Sequence, residues 1–400
     1  MKKLLLLLLL IAPLMGCSNS KSGGSGSTPF DTREAVLTFL KKCAHEGNIL
    51  FGKHNDLTRG MGEDNRIWTY DIQSDREELT RSDTYRITGQ FPAVLGMDVY
   101  EPLDRGRKGE IRSMIDGIKI FAGKMNGLVT LSYHMANPYW YAEGKRGDTY
   151  RYVSTDSIHR NAVKEILEVD GPVELYPGVT VKQFYDMKLN QAIDIMLAMT
   201  FENGKQIPLM VRLFHEASCP WFWWGTGYCT NEESIALYRY TADRMKEKCD
   251  NLIFIYGPDR NWDTMNADDK FMDRYPGDAY VDIIGYDDYH INSDTSLASA
   301  INRLRLLSDY AKKHDKVAVL AESGRMGGLG LTPNWFTDYL YKATTAEGVS
   351  ISYILLWHSW SSRNDSGVMF PYKNDSPEAD NVRTFISKER IKMNDFMQMQ

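Results

Sequence analysis

Cysteine is scarce, five in 400 residues, and none sits at a spacing that binds zinc. A cysteine-built metal centre and a scaffold that depends on disulfides are both excluded. Basic runs are missing as well. Lys and Arg number 47 against 53 Asp and Glu, a net charge of −6, and no basic stretch is interleaved with aromatics. Nucleic acid is therefore not an expected partner. No apolar run reaches the roughly 20 residues that span a bilayer core, which excludes a polytopic membrane protein. No Gly-x-Gly-x-x-Gly follows the first β-rich run, no Walker-type loop occurs, and there is no Gly-x-Ser-x-Gly. His215-Glu216 opens like the zinc motif His-Glu-x-x-His, but Cys219 stands where the second histidine belongs and Pro220 follows. No metal and no cofactor is implied.

The one long apolar run is at the N-terminus. Lys2 and Lys3 precede Leu4 to Met15, too short to span and shaped like a signal peptide. Leu14-Met15-Gly16-Cys17 resembles the lipobox of bacterial lipoproteins, so residues 1–16 are expected to be removed and Cys17 lipid-modified. Residues 17–30 continue as a Ser/Gly-rich tether, a leash between an acylated cysteine and a folded domain. The expected location is the bacterial cell envelope, on either face of an outer membrane, held through the lipid anchor only. Four further cysteines remain, and Cys219 and Cys229 flank an aromatic loop that a bridge would staple.

From residue 31 to 400 no second linker, repeat or low-complexity tract appears. Short β-rich runs recur at 49–53, 92–98, 127–133, 208–214, 251–256, 281–285, 317–321 and 352–357. Stretches of helical period lie between them. Ile235, Tyr238, Ala242, Met245 and Cys249 form one stripe; Leu297, Ile301, Leu304, Leu307 and Ala311 form another; Phe336, Tyr339, Leu340 and Ala343 a third. Eight strands alternating with helices predict an α/β fold, a single (β/α)8 TIM barrel. A doubly wound open sheet is the alternative, weakened by the missing glycine fingerprint. The longer spacing between the third and fourth strands leaves room for an insertion over about 141–179, with Trp140, Tyr150 and Tyr152 at its start.

Catalytic groups in such barrels sit just past the C-terminal ends of the strands. Those positions here hold His54, Asp98, His134, Arg212, His215, Glu216, Asp287, Asp288, Tyr289, Glu322 and Trp357. Glu216 and Glu322 each directly follow an apolar strand, where an unpaired carboxylate costs several kcal/mol. An ion pair of Glu216 with Arg212 is the structural reading. The chemical one is that two carboxylates face each other across the barrel mouth, the minimum equipment of a glycosidase. Seven of nine tryptophans follow strand ends, among them Trp262 and Trp360, and Trp221-Phe222-Trp223-Trp224 puts four large rings on one loop. Flat rings beside polar groups suit the faces of sugars.

With those residues in place, the chain resembles glycoside hydrolase family 26, the β-mannanases of the retaining (β/α)8 clan, over residues 31 to about 375. The most specific string is Arg212-Leu213-Phe214-His215-Glu216 followed by Trp221-Phe222-Trp223-Trp224-Gly225. The resemblance implies Glu216 as general acid/base and Glu322 as nucleophile. It implies His215 and His134 beside the sugar at the cleavage point, Tyr289 bonded to the nucleophile with Asp287 supporting it, and Trp221 and Trp357 as cleft walls. His358-Ser359 departs from the Arg and Asn that many members carry after the eighth-strand tryptophan. The implied activity is retaining hydrolysis of β-1,4-mannosidic bonds in mannan, glucomannan or galactomannan, endo-acting or mannobiose-releasing, by a monomer. A β-glucanase or β-1,3-xylanase of the same family is the alternative substrate reading. A surface lipoprotein that binds glycan without cutting it is the alternative class.

Overall fold

Thr32 caps the first helix of the described residues, its hydroxyl accepting from the backbone of Ala35 at the head of α1 (Arg33–Glu46), and Gly47 ends it in the left-handed region. The computed structural model describes residues 28–69, 81–145, 149–266, 270–359 and 367–400. Cys17, the leader before it and Trp360 lie outside the described residues.

Eight strands follow, β1 (Ile49–His54), β2 (Val94–Asp98), β3 (Leu128–Ser132), β4 (Leu209–Arg212), β5 (Leu252–Tyr256), β6 (Ile283–Asp288), β7 (Val317–Ser323) and β8 (Tyr353–Leu356). Each pairs in parallel with the next, and β8 pairs with β1 to close a barrel. This is the (β/α)8 fold, with each strand where the sequence places it. Helices return the chain after most strands: α2 (Asp83–Thr88), α3 (Lys108–Met125), α4 (Val181–Leu197), α5 (Asn231–Lys246), α6 (Asp294–Lys313) and, after β8, α7 (Pro377–Ile386). Capping boxes begin α4 (Thr180 with Gln183) and α5 (Thr230 with Glu233). The third stripe is not a plain α-helix: Phe336–Tyr341 winds as a π-helix before Lys342–Thr344.

Strand side chains alternate between two cores because successive residues point to opposite faces. Leu50, Val94, Leu128, Met210, Ile253, Ile283, Val317 and Tyr353 fill the barrel, while Phe51, Leu95, Val129, Val211, Phe254, Ile284, Ala318 and Ile354 pack outward against the helices. The inner cluster also takes Val36, Phe39, Leu40 and Cys43 of α1. Arg33 Nε donates to Leu252 O at 3.1 Å and Ser352 Oγ to Leu40 O at 2.8 Å, so α1 plugs the end of the barrel where strands begin. The other end carries the polar groups.

Two elements have no counterpart in the strand and helix pattern of the sequence. A hairpin, Arg59–Met61 with Ile67–Thr69, stands on β1's C-terminal side, and Asp83 pins it by accepting from Met61 N (2.9 Å) and Trp68 Nε1 (3.0 Å). A short strand, Ile391–Lys392, runs parallel to the start of β1. Cys219 and Cys229 are not bridged: both are free, as are Cys43 and Cys249. Burial in a large core already holds the aromatic loop, and there Cys229 Sγ accepts from Arg274 Nη1 at 3.2 Å and donates to Trp224 O at 3.3 Å. Among the described residues no helix is long and apolar enough to cross a membrane.

Candidate active site

Arg212 ends β4 two residues past inward-facing Met210, so its side chain enters the barrel mouth, where it is 1% exposed. Nη1 reaches both oxygens of Asp287 at 2.6 Å and Nη2 reaches Glu322 Oε1 at 2.5 Å. Burial opposes the guanidinium's charge, but Asp287 and Glu322 outweigh it and raise its pKa. The second oxygen of Glu322 accepts from Tyr289 Oη at 2.7 Å. Arg212 is thus spoken for, and the expected alternative pairing with Glu216 does not form.

Glu322 depends on an irregularity in β7. Along β6, Ile283 points inward and Asp287 follows on the same face. The pairing runs Tyr286 with Leu320, then Asp287 with Glu322, one residue being skipped on β7. Without that bulge Glu322 would alternate outward from Ala321; with it, Glu322 lies directly opposite Asp287.

Glu216 arrives by another backbone device. Phe214 and Glu216 both have positive φ, 46° and 53°, conformations costly for residues with side chains and concentrated at functional sites. Glu216 N donates to Gly257 O at 2.9 Å, and Trp221 Nε1 donates to Glu216 Oε2 at 2.5 Å. Burial first, then the charges of Glu322 and Asp259, raise its carboxyl to about 7. Oxygens of Glu216, Asp287 and Glu322 all lie within 4.8 Å of one another. Three acids so close are a geometry that also ligates cations; here Arg212 supplies the positive charge against two of them.

Histidines line the adjoining wall. His134 Nδ1 bonds Asp98 Oδ2 at 2.7 Å and its backbone N–H donates to the same oxygen at 3.0 Å. Burial works against a charge on His134, but Asp98 prevails and raises its pKa. His215 packs 4.3 Å from it, ring to ring, and burial together with His134 and Arg212 pushes the His215 pKa well below its usual value. Trp357 is half-buried, stacked on His54 at 4.3 Å and 6.0 Å from His134. Gly96 makes that stack possible, since a Cβ there would stand 2.9 Å from His54 Nδ1.

All eight barrel residues expected at the site, Glu216, Glu322, His134, His215, Trp221, Asp287, Tyr289 and Trp357, therefore gather at one rim. The aromatic run divides. Trp221 is 38% exposed, whereas Phe222, Trp223 and Trp224 are buried, with Trp223 Nε1 on Met135 O and Trp224 Nε1 on His215 O, both at 2.9 Å. Three of those four rings, and Trp262, are packing rather than cleft. Arg212, Asp98 and His54, from the same row of strand-end residues, join them, and no spacing in the sequence singles those three out.

A profile of glycosyl hydrolase family 26 matches residues 27–312. The chain belongs to glycosyl hydrolase family 26. Among curated relatives of the family, a mannan endo-1,4-beta-mannosidase from Bifidobacterium adolescentis is 26% identical over 373 residues, 87% of this chain and 33% of the relative. One from Bacillus subtilis is 26% identical over 353 residues, 82% of either chain. The chain thus spans about a third of the first relative's length and most of the second's. Among solved structures, a GH26 beta-mannanase from Bacteroides ovatus superposes with a TM-score of 0.73 at 26% identity, covering 92% of this chain and 96% of the other.

Proposed function

We propose that this family 26 protein hydrolyses β-1,4-mannosidic bonds in mannan, glucomannan or galactomannan with net retention. The observation that carries the reading is a pair of carboxyl groups within 4.8 Å, one of them kept protonated to about pH 7. Oxygens that approach so closely fit the roughly 5–5.5 Å carboxyl separation of a double displacement better than the roughly 6.5–9.5 Å of an inverting enzyme. The mannanase names of its relatives favour mannan.

In this mechanism Glu322 attacks the anomeric carbon, and the glycosidic bond breaks as Glu216 gives its proton to the leaving oxygen. The glycosyl ester on Glu322 removes one negative charge, so Glu216 becomes easier to ionise and takes a proton from the incoming water. Water then opens the ester from the same face, and Glu216 is reprotonated. Tyr289 and Arg212 fix the two oxygens of Glu322, and Asp287 acts through Arg212. His134 and His215 border the sugar, with Trp221 and Trp357 as its apolar walls.

A time course of products from unsubstituted mannan and mannohexaose, resolved by chain length, tests the reading. A ladder of sizes means an open cleft, mannobiose alone a closed one, and no cleavage sinks the mannan assignment. Glu216→Ala should lose most hydrolysis of polysaccharide yet give a burst with an aryl mannobioside bearing a good leaving group; wild-type turnover on mannan would refute its role. The N-terminal sequence supports a lipid anchor at Cys17 in the bacterial envelope. Replacing Cys17 with Ser should move the protein from the membrane fraction to the soluble one.

A further inference from the structure

Three histidines, His54, His134 and His215, are buried at the barrel mouth, and His134 has a carboxylate behind it. Asp98 ends β2 on the same face as inward-pointing Val94 and is itself buried. Its Oδ1 accepts from Glu101 N at 2.6 Å, and its Oδ2 accepts from His134 N at 3.0 Å. Both are backbone donors, so each oxygen of Asp98 is committed as an acceptor. Oδ2 also meets His134 Nδ1 at 2.7 Å, and a carboxylate only accepts. Nδ1 therefore carries a hydrogen. Nε2 is the ring nitrogen left over, and no described residue bonds it.

Groups of both signs face this ring. Asp98 comes from β2, Arg212 from β4 and Glu322 from β7, with the rings of His54, His215, Tyr150 and Trp357 around them. Burial disfavours a charge on His134, but Asp98 and then Glu322 outweigh it against Arg212 and raise its pKa. His54 and His215 go the other way. The Nδ1 of each is buried without a hydrogen-bond partner among the described residues. Burial, then His134 and Arg212, push both well below the usual histidine value.

We propose that Asp98 is a positioning residue that holds His134 as the one imidazolium of the three, leaving its Nε2–H as donor to a sugar hydroxyl beside the bond being cut. A neutral ring held by Nδ1–H would offer a lone pair at Nε2 instead. The carboxylate behind the ring thus sets the sense of the hydrogen bond in front of it. Glu322 favours the same cation only until the glycosyl ester forms, whereas Asp98 holds it through both steps. The inference rests on the glycosidase reading above.

The test is NMR of histidine-labelled protein at about pH 7, with the His134 ring signals assigned by their loss in His134→Gln. Steady-state kinetics on mannohexaose and a thermal melt accompany each variant. Wild type should show His134 doubly protonated. Asp98→Asn should show it neutral, because an amide has one oxygen where these donors need two. The same variant should lose roughly tenfold to a hundredfold in kcat/KM, and Asp98→Glu should recover part of that. Asp98→Asn combined with His134→Gln should be no worse than His134→Gln alone, since the pair acts as one unit. A neutral His134 in wild type overturns the proposal, whatever becomes of the Asp98 variants. So does a ring still doubly protonated in Asp98→Asn, or losses that multiply in the double variant. If Asp98→Asn does not fold, Asp98→Ser, smaller and uncharged, makes the same comparison. If wild type cuts no oligosaccharide, the glycosidase reading has failed instead, and the ring signals alone decide for Asp98.

Discussion

A carboxyl that must hold a proton near neutral pH needs surroundings that penalise its charge, and Glu216 has three sources of penalty: burial, Glu322 and Asp259. The protonated form is the competent one, so kcat/KM should fall as pH rises through about 7. Asp259→Asn removes one penalty and should move that alkaline limb down by roughly half a pH unit; a pH–rate profile that stays in place argues against the coupling. The same residue costs stability. Its folded pKa of about 7 lies above the usual 4.5, so the folded protein keeps a proton that the unfolded chain releases. Stability is fullest below 4.5 and declines as pH rises through 7. Glu216→Gln has no such decline, and its advantage over wild type should grow across that window by up to roughly 3 kcal/mol, read by urea denaturation at pH 5 and pH 8.

Among the elements, α1 and β7 carry different burdens. α1 is a plug far from the chemistry. Phe39 is 7% exposed, packs 4.6 Å from Phe30 and belongs to the core inside the barrel. Phe39→Ala should cost about 3–5 kcal/mol of unfolding free energy through the cavity it leaves, with kcat within about twofold of wild type. Denaturant titration and steady-state assay separate the two. β7 couples fold to function instead, because its one-residue bulge turns Glu322 to the face of Asp287. The strand itself was legible from Val317–Ala321, five apolar residues in a row. The bulge was not, because a uniformly apolar strand has no alternation from which a skipped residue could be read. The hairpin at Arg59–Met61 escaped for a related reason: three-residue strands are shorter than any periodic signal, and Asp83, 22 residues from Met61, holds them.

At the scale of the molecule, a barrel of this size has enough core to stand without covalent staples. The four described cysteines are free, so reductant should leave the melting temperature unchanged; a drop of several degrees in dithiothreitol would mean a bridge does form. Eight apolar runs separated by helical stripes determined the architecture from sequence alone, since a period of two or 3.6 and the order of the runs are local properties. Chain order also put Glu216 and Glu322 at strand ends, and so on one rim. Tertiary structure decided the rest, because it turns on who stands next to whom. Arg212 binds Asp287 and Glu322, which reach it from β6 and β7, while Glu216, four residues away in sequence, is held by Trp221 instead. Phe222, Trp223 and Trp224 sink into the core while Trp221 faces outward, although the four look alike in sequence. Exposure belongs to the packed surface, and the facing of a side chain to a register fixed only when distant strands pair.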